Sequence, residues 1–248
     1  MSGSNDEDLP SRQTTGSTPV FESAFKDFHV RTEQLSAIDS LRVAIADELR
    51  SATDELLATS ANLEDLEETH RMIGQAVARL RLKPHSQEFV GPSESSLAPM
   101  NSFLDRSPII GGINPLAVPM RMQIEGDGGK DSVVVGHAKF EAAYEGPPGC
   151  VHGGFIAAYF DEVLGMAQSL SGNPGMTVNL TIDYRSPTPL KQPVVFRGWV
   201  ASIDGRKISV LGTLHHGDTL CAEAKGLFVS MRPEVFQRLM EIRQAQER

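Results

Sequence analysis

The chain has 248 residues, 40% of them hydrophobic, enough for one well-filled core with an appended segment rather than two full enzyme domains. Its 32 acidic residues outnumber 23 basic ones, and the formal charge of −9 argues against a nucleic-acid partner, which demands a basic surface. Cys150 and Cys221 stand alone, outside any C-x-x-C or Cys/His array, so a disulfide framework and a structural zinc are not expected and a reducing cytoplasm fits.

Residues 1–31 begin polar and acidic, without the basic and apolar regions of a signal peptide, and are expected to be a disordered tail. No apolar run is long enough for a membrane span. From residue 32 to 83 there is no proline and a single glycine, Gly74, which predicts helix as far as Pro84. A seven-residue repeat starting at Leu35 and Ile38 runs through Ile45, Leu49, Ala52, Leu56, Leu63, Leu66, Ile73, Val77 and Leu80, interrupted at Arg42, Thr59 and His70. That pattern predicts a helical hairpin or a coiled-coil arm, packed on the rest of the chain or on a neighbouring subunit.

Residues 84–116, rich in Ser, Pro and Gly, read as a linker whose end, from Ile109 to Pro115, is partly ordered. Beyond it the period becomes alternating, predicting strands at 118–125, 132–141, 176–186, 193–203, 207–215 and 219–230. Asp204-Gly205 marks a hairpin turn. One helix, at about 153–170, interrupts the series, and an amphipathic tail is expected at 233–248. Two strands, a helix and four more strands give an α+β domain over 117–232 whose antiparallel sheet must wrap the single helix.

That helix is apolar over most of its circumference, but Gly154, Ala157, Ala158, Asp161, Gly165 and Gln168 recur at steps of three or four as a strip along which a ligand fits. An acid on such a helix needs a partner or a task, so Asp161 is the candidate catalytic carboxylate. Gly153 and Gly154 leave the helix N-terminus approachable, where free amides stabilise a developing oxyanion. His152, beside them, orients the turn or bonds a substrate. Seven residues separate Gly154 from Asp161, about 10 Å along the axis, too far for one carbonyl to reach both. Two antiparallel copies related by a twofold axis would close that gap, favouring a site shared across a homodimer.

The run from Gly146 to Glu162 resembles the H-G-G-x-x-x-x-x-x-D signature of PaaI-like and Them4/Them5-like hotdog thioesterases, with matching spacing. The resemblance continues through Met176 to Leu180, Tyr184 to Leu190 and Asp204 to Lys207, covering roughly residues 110 to 230. It implies the hotdog fold, hydrolysis of an acyl-CoA without metal or organic cofactor, and a homodimer, with a homotetramer as the open alternative. It further implies that the Gly154 amide holds the thioester oxygen and that Asp161 of the opposite subunit is base or nucleophile. By the same resemblance Thr177 is expected to help place the water, and Arg185, Arg206 and Lys207 to lie where related enzymes hold the nucleotide end of coenzyme A. In 177–185 the odd positions Thr177, Asn179, Thr181, Asp183 and Arg185 are polar, a face expected to meet solvent, a partner or coenzyme A. Medium to long aliphatic acyl groups are expected, with aryl-acetyl groups second. The rival expectation is a non-hydrolytic acyl-CoA sensor or scaffold in which the helical arm carries the signal.

Overall fold

The computed structural model describes residues 36–83, 105–173 and 175–230, with the single positions 238 and 242. The expected N-terminal tail, most of the linker and nearly all of the C-terminal segment lie outside the described residues.

Helix α1 (Ala37–Ala58) starts where Ser36 accepts the Asp39 N–H on its hydroxyl at 3.1 Å, and helix α2 (Leu63–Arg81) starts on the same device at Asn62. Acidic Glu64 and Asp65 in the first turn of α2, and Arg79 and Arg81 in the last, complement its dipole. The two helices do not pack side by side, so the hairpin form of the expectation is not formed. One face of α1 is fastened to the rest of the protein. The Arg50 guanidinium donates to the carbonyls of Asn114 (2.9 Å) and Gly112 (3.1 Å), and Asp54 accepts the Ala143 N–H at 2.8 Å. The linker end is thus a structural layer between arm and domain, with Ile110 and Ala117 buried.

The domain is one antiparallel six-stranded sheet wrapped around one helix, as expected. Its strands are β1 (Arg121–Glu125), β2 (Val133–Lys139), β3 (Gly175–Tyr184), β4 (Pro193–Asp204), β5 (Lys207–His216) and β6 (Thr219–Ser230), in the order β1-β2-β4-β5-β6-β3. Helix α3 (Gly153–Ser169) lies in the concave face and buries Ile156, Tyr159, Phe160, Val163 and Leu164 against Phe140, Phe196, Leu214 and Phe228. The paired glycines Gly198 and Gly212 form its bed. A Cβ at Gly212 would stand 2.8 Å from a Leu164 methyl, and one at Gly198 would stand 3.0 Å from Val163 Cγ1. The helix therefore sits closer to the sheet than side chains at those positions would allow.

Among the described residues, strand β3 pairs only with β6, and its other edge is free. Its register slips between Thr177 and Asn179, which face Phe228 and Leu227, so Val178 is the extra residue of a β-bulge. The single polar face expected of the odd positions is broken there. Thr177, opposite the buried Phe228, turns to the helix side; Asn179, Thr181 and Asp183, opposite Leu227, Lys225 and Glu223, turn to the outer side.

Candidate active site

The N-terminus of α3 is set by its loop. The His152 N–H donates to the Tyr144 carbonyl (2.9 Å), the Val151 N–H to that of Thr188 (2.9 Å), and Gly146 lies so close that a Cβ there would be 2.7 Å from His152 Cα. His152 is the N-cap, and its Nδ1 accepts the Gly154 N–H at 3.0 Å. An imidazole accepting at Nδ1 carries its proton on Nε2, which leaves an outward donor. The Phe155 and Ile156 amides turn to the His152 carbonyl. The Gly154 amide expected to meet the oxyanion is therefore occupied in this state. The neighbouring Gly153 N–H has no acceptor among the described residues. Tyr184 secures the tip from the sheet edge by donating its hydroxyl proton to the Gly153 carbonyl at 2.8 Å.

Farther along the helix, Asp161 is exposed, and the Thr177 hydroxyl donates to its Oδ1 at 2.8 Å. The bulge makes this contact, because it turns Thr177 towards the helix while the rest of the odd-numbered residues face away. One Asp161 oxygen is thus committed and the other is open. Glu162 follows and faces inward. Its Oε1 accepts the hydroxyl of Ser107, which in turn takes the N–H groups of Ile109 and Ile110 at 3.1 and 3.2 Å. Burial holds the Glu162 carboxyl above the usual carboxylate range; the Ser107 hydrogen bond opposes that shift, and neighbouring Asp161 adds to it.

Two groups of expected site residues come together within one chain: His152, Gly153 and Gly154 with Tyr184, and Asp161 with Thr177. The two groups stand about two turns apart along the helix and do not meet. Asn179 and Asp183 lie on the outer side of the sheet, away from both. Arg185 also turns outward, to Glu223 (2.8 Å) and Asp183 (3.6 Å). Arg206 donates to the Ser230 carbonyl at 3.0 and 2.8 Å, and Lys207 is exposed beside it on the hairpin. The strip along α3 is closed at one end, because Gln168 is buried and accepts the Gly175 N–H. Tyr159 and Met166, on the same helix, are core residues. Tyr184 and Glu162 were missed as functional neighbours. Tyr184 falls among the apolar positions of an alternating strand, and the acid following Asp161 carries no periodic signal of its own.

Residues 148–225, from the turn before α3 to β6, match the family model of the thioesterase superfamily. A solved thioesterase superfamily protein is 32% identical, with a TM-score of 0.67 over 76% of this chain and 94% of its own. The chain belongs to the thioesterase superfamily, and its sheet and helix are the hotdog fold. Among curated proteins it is similar to the acyl-coenzyme A thioesterase THEM4 of Rattus norvegicus, 41% identical over 92 residues, 36% of this chain and 40% of that one. The acyl-coenzyme A thioesterase THEM5 of Homo sapiens is 32% identical over 92 residues, 36% of this chain and 37% of its own. The match therefore spans about two fifths of these curated relatives. The structural match is broader, covering 76% of the chain.

Proposed function

We propose that this chain hydrolyses acyl-CoA thioesters in sites shared between two copies. The observation that carries the reading is the pairing of an exposed Asp161, held by Thr177, with a separate helix tip whose Gly153 N–H meets no acceptor among the described residues. If the free edges of two β3 strands pair antiparallel about Thr181, with Val178 left over as the bulge residue, Thr177 of one chain stands opposite Tyr184 of the other. Thr177 bonds Asp161 and Tyr184 bonds Gly153, so this register carries the carboxylate of one copy to the glycine tip of the other. It also draws the Arg206–Lys207 hairpin of one copy, beyond the Gly175 end of β3, towards the partner's Arg185, where the phosphates of coenzyme A find opposite charge. Homotetramers would be built from such dimers.

In the reaction the thioester oxygen takes the Gly153 N–H, a donor worth roughly 3 kcal/mol in the transition state. The Gly154 amide joins it where His152 turns away. The open oxygen of Asp161 accepts a proton from water as it attacks the acyl carbon. The alternative is that Asp161 attacks first and water resolves the anhydride. The C–S bond breaks and coenzyme A leaves with a proton. Coenzyme A is part of the substrate, and the reading uses no metal and no other cofactor. The named relatives support acyl-CoA as the substrate class, the two unpaired cysteines support a reducing cytoplasm, and medium to long aliphatic chains are proposed for the acyl group. Turnover by Asp161→Asn and Asp161→Ala is measured on a panel of acyl-CoAs through released thiol. The expected loss is about a hundredfold or more. Unchanged turnover would remove Asp161 from the chemistry; tight acyl-CoA binding without turnover by the intact protein would make the chain a sensor instead.

A further inference from the structure

Helix α2 buries none of its residues, although it carries a regular apolar seam. Leu63, Leu66, Ile73, Val77 and Leu80 are all exposed, by 72% at Leu63 and 47% at Ile73, and with His70 they fill positions 63, 66, 70, 73, 77 and 80. That alternation of three and four residues is the spacing of a coiled-coil interface, narrower than the stripe of a helix lying on a globular surface. The seam is palindromic. Run against itself in the opposite direction, Leu63 meets Leu80, Leu66 meets Val77 and His70 meets Ile73, so every position finds a partner from the same six residues.

Charge selects the direction. Glu64, Asp65, Glu67 and Glu68 crowd the first half of α2, Arg79 and Arg81 lie in its last turn with Lys83 just beyond, and Arg71 near the middle is paired with Glu68. A parallel pair would set acid beside acid and base beside base; an antiparallel pair sets each half against its opposite and opposes the helix dipoles. We propose that α2 is a self-association surface, whose occupant is α2 of a second copy of this chain, packed antiparallel about a twofold axis near residues 71 and 72. The central His70 is a polar residue in an otherwise apolar seam, a device that penalises slipped registers. This contact is independent of the catalytic reading and of pairing through β3.

The test uses two full-length variants, Leu66→Cys and Val77→Cys, oxidised mildly alone and after mixing, with links mapped by mass spectrometry against the native Cys150 and Cys221. The expected result is a link between positions 66 and 77 of different chains in the mixture and no self-linking at either position alone. Adding Ile73→Glu to both chains, which places a charge in the seam without touching the core, should lower the linked fraction about tenfold. Gln75→Glu, on the outward side, should leave it unchanged. Self-linking of each variant alone would mean a parallel pair and overturn the proposal. No link in the mixture would overturn it too, leaving the seam to α1 or to an unrelated partner.

Discussion

A carboxylate that faces solvent and one that faces the core follow each other on α3, and the two are put to different use. Asp161 leaves one oxygen open to solvent, and Glu162 bonds Ser107 and ties the 105–118 segment to the helix. Because burial raises the Glu162 pKa in the folded state, its contribution is favourable while the group is protonated in both states. That contribution declines as the pH rises above about 4.5, its ordinary value, where the unfolded chain ionises more readily. Glu162→Gln keeps an oxygen for Ser107 and removes the charge. Its melting temperature should exceed that of wild type at pH 7 to 8, with the difference closing as the pH falls towards 4; thermal melts across that range check it, and a variant less stable at pH 8 would contradict the assignment. Asp161 and the glycine pair were legible in the sequence because an acid and two glycines are anomalous on a helix this apolar. Which glycine amide is free was not legible, since that depends on where the His152 imidazole turns.

The same division holds among elements. Alternation and the Asp204-Gly205 turn mark all six strands, and β4 to β6 fall within a residue of their observed limits. The β3 bulge escaped notice because Val178 fits the alternation as well as a regular residue would; only its misfit against β6 reveals it, and it reverses which side Asn179 and Asp183 face. The bed of α3 also went unread, because Gly198 and Gly212 are isolated glycines in sequence and become one feature only across the β4–β5 pairing. The arm is fastened chiefly through Arg50, whose half-buried guanidinium serves several carbonyls at once. Arg50→Ala leaves those carbonyls without their donor. It should cost about 1.5 to 3 kcal/mol in the attachment of α1 and speed proteolytic cleavage near residues 59–62, with the domain intact; unchanged cleavage kinetics would show that the arm is held elsewhere.

For the whole molecule the decisive question is whether one chain holds a complete site, and in a single chain the two halves stand apart. Gly153→Pro removes the amide at a first helical position whose backbone suits proline, with the ring displacing the Tyr184 hydroxyl that would stand 3.1 Å from its Cβ, and Asp161→Asn removes the acid. Each variant alone should be inactive. Co-expression should restore about a quarter of wild-type activity, because half of the dimers are mixed and each mixed dimer retains one intact shared site. Restoration to the background of either parent alone would place the whole reaction inside one chain. None of the described helices is long and apolar enough to cross a membrane.

Periodicity and anomaly, which are local properties, were enough to identify the helix, the strands, the signature and the heptad arm from the amino-acid order alone. The bulge, the glycine bed, the capped Gly154 amide and the outward turn of Arg185 were decided by tertiary structure. Each depends on which residue of a distant strand or loop comes to lie opposite, and side-chain direction follows from that partner rather than from the neighbours in sequence.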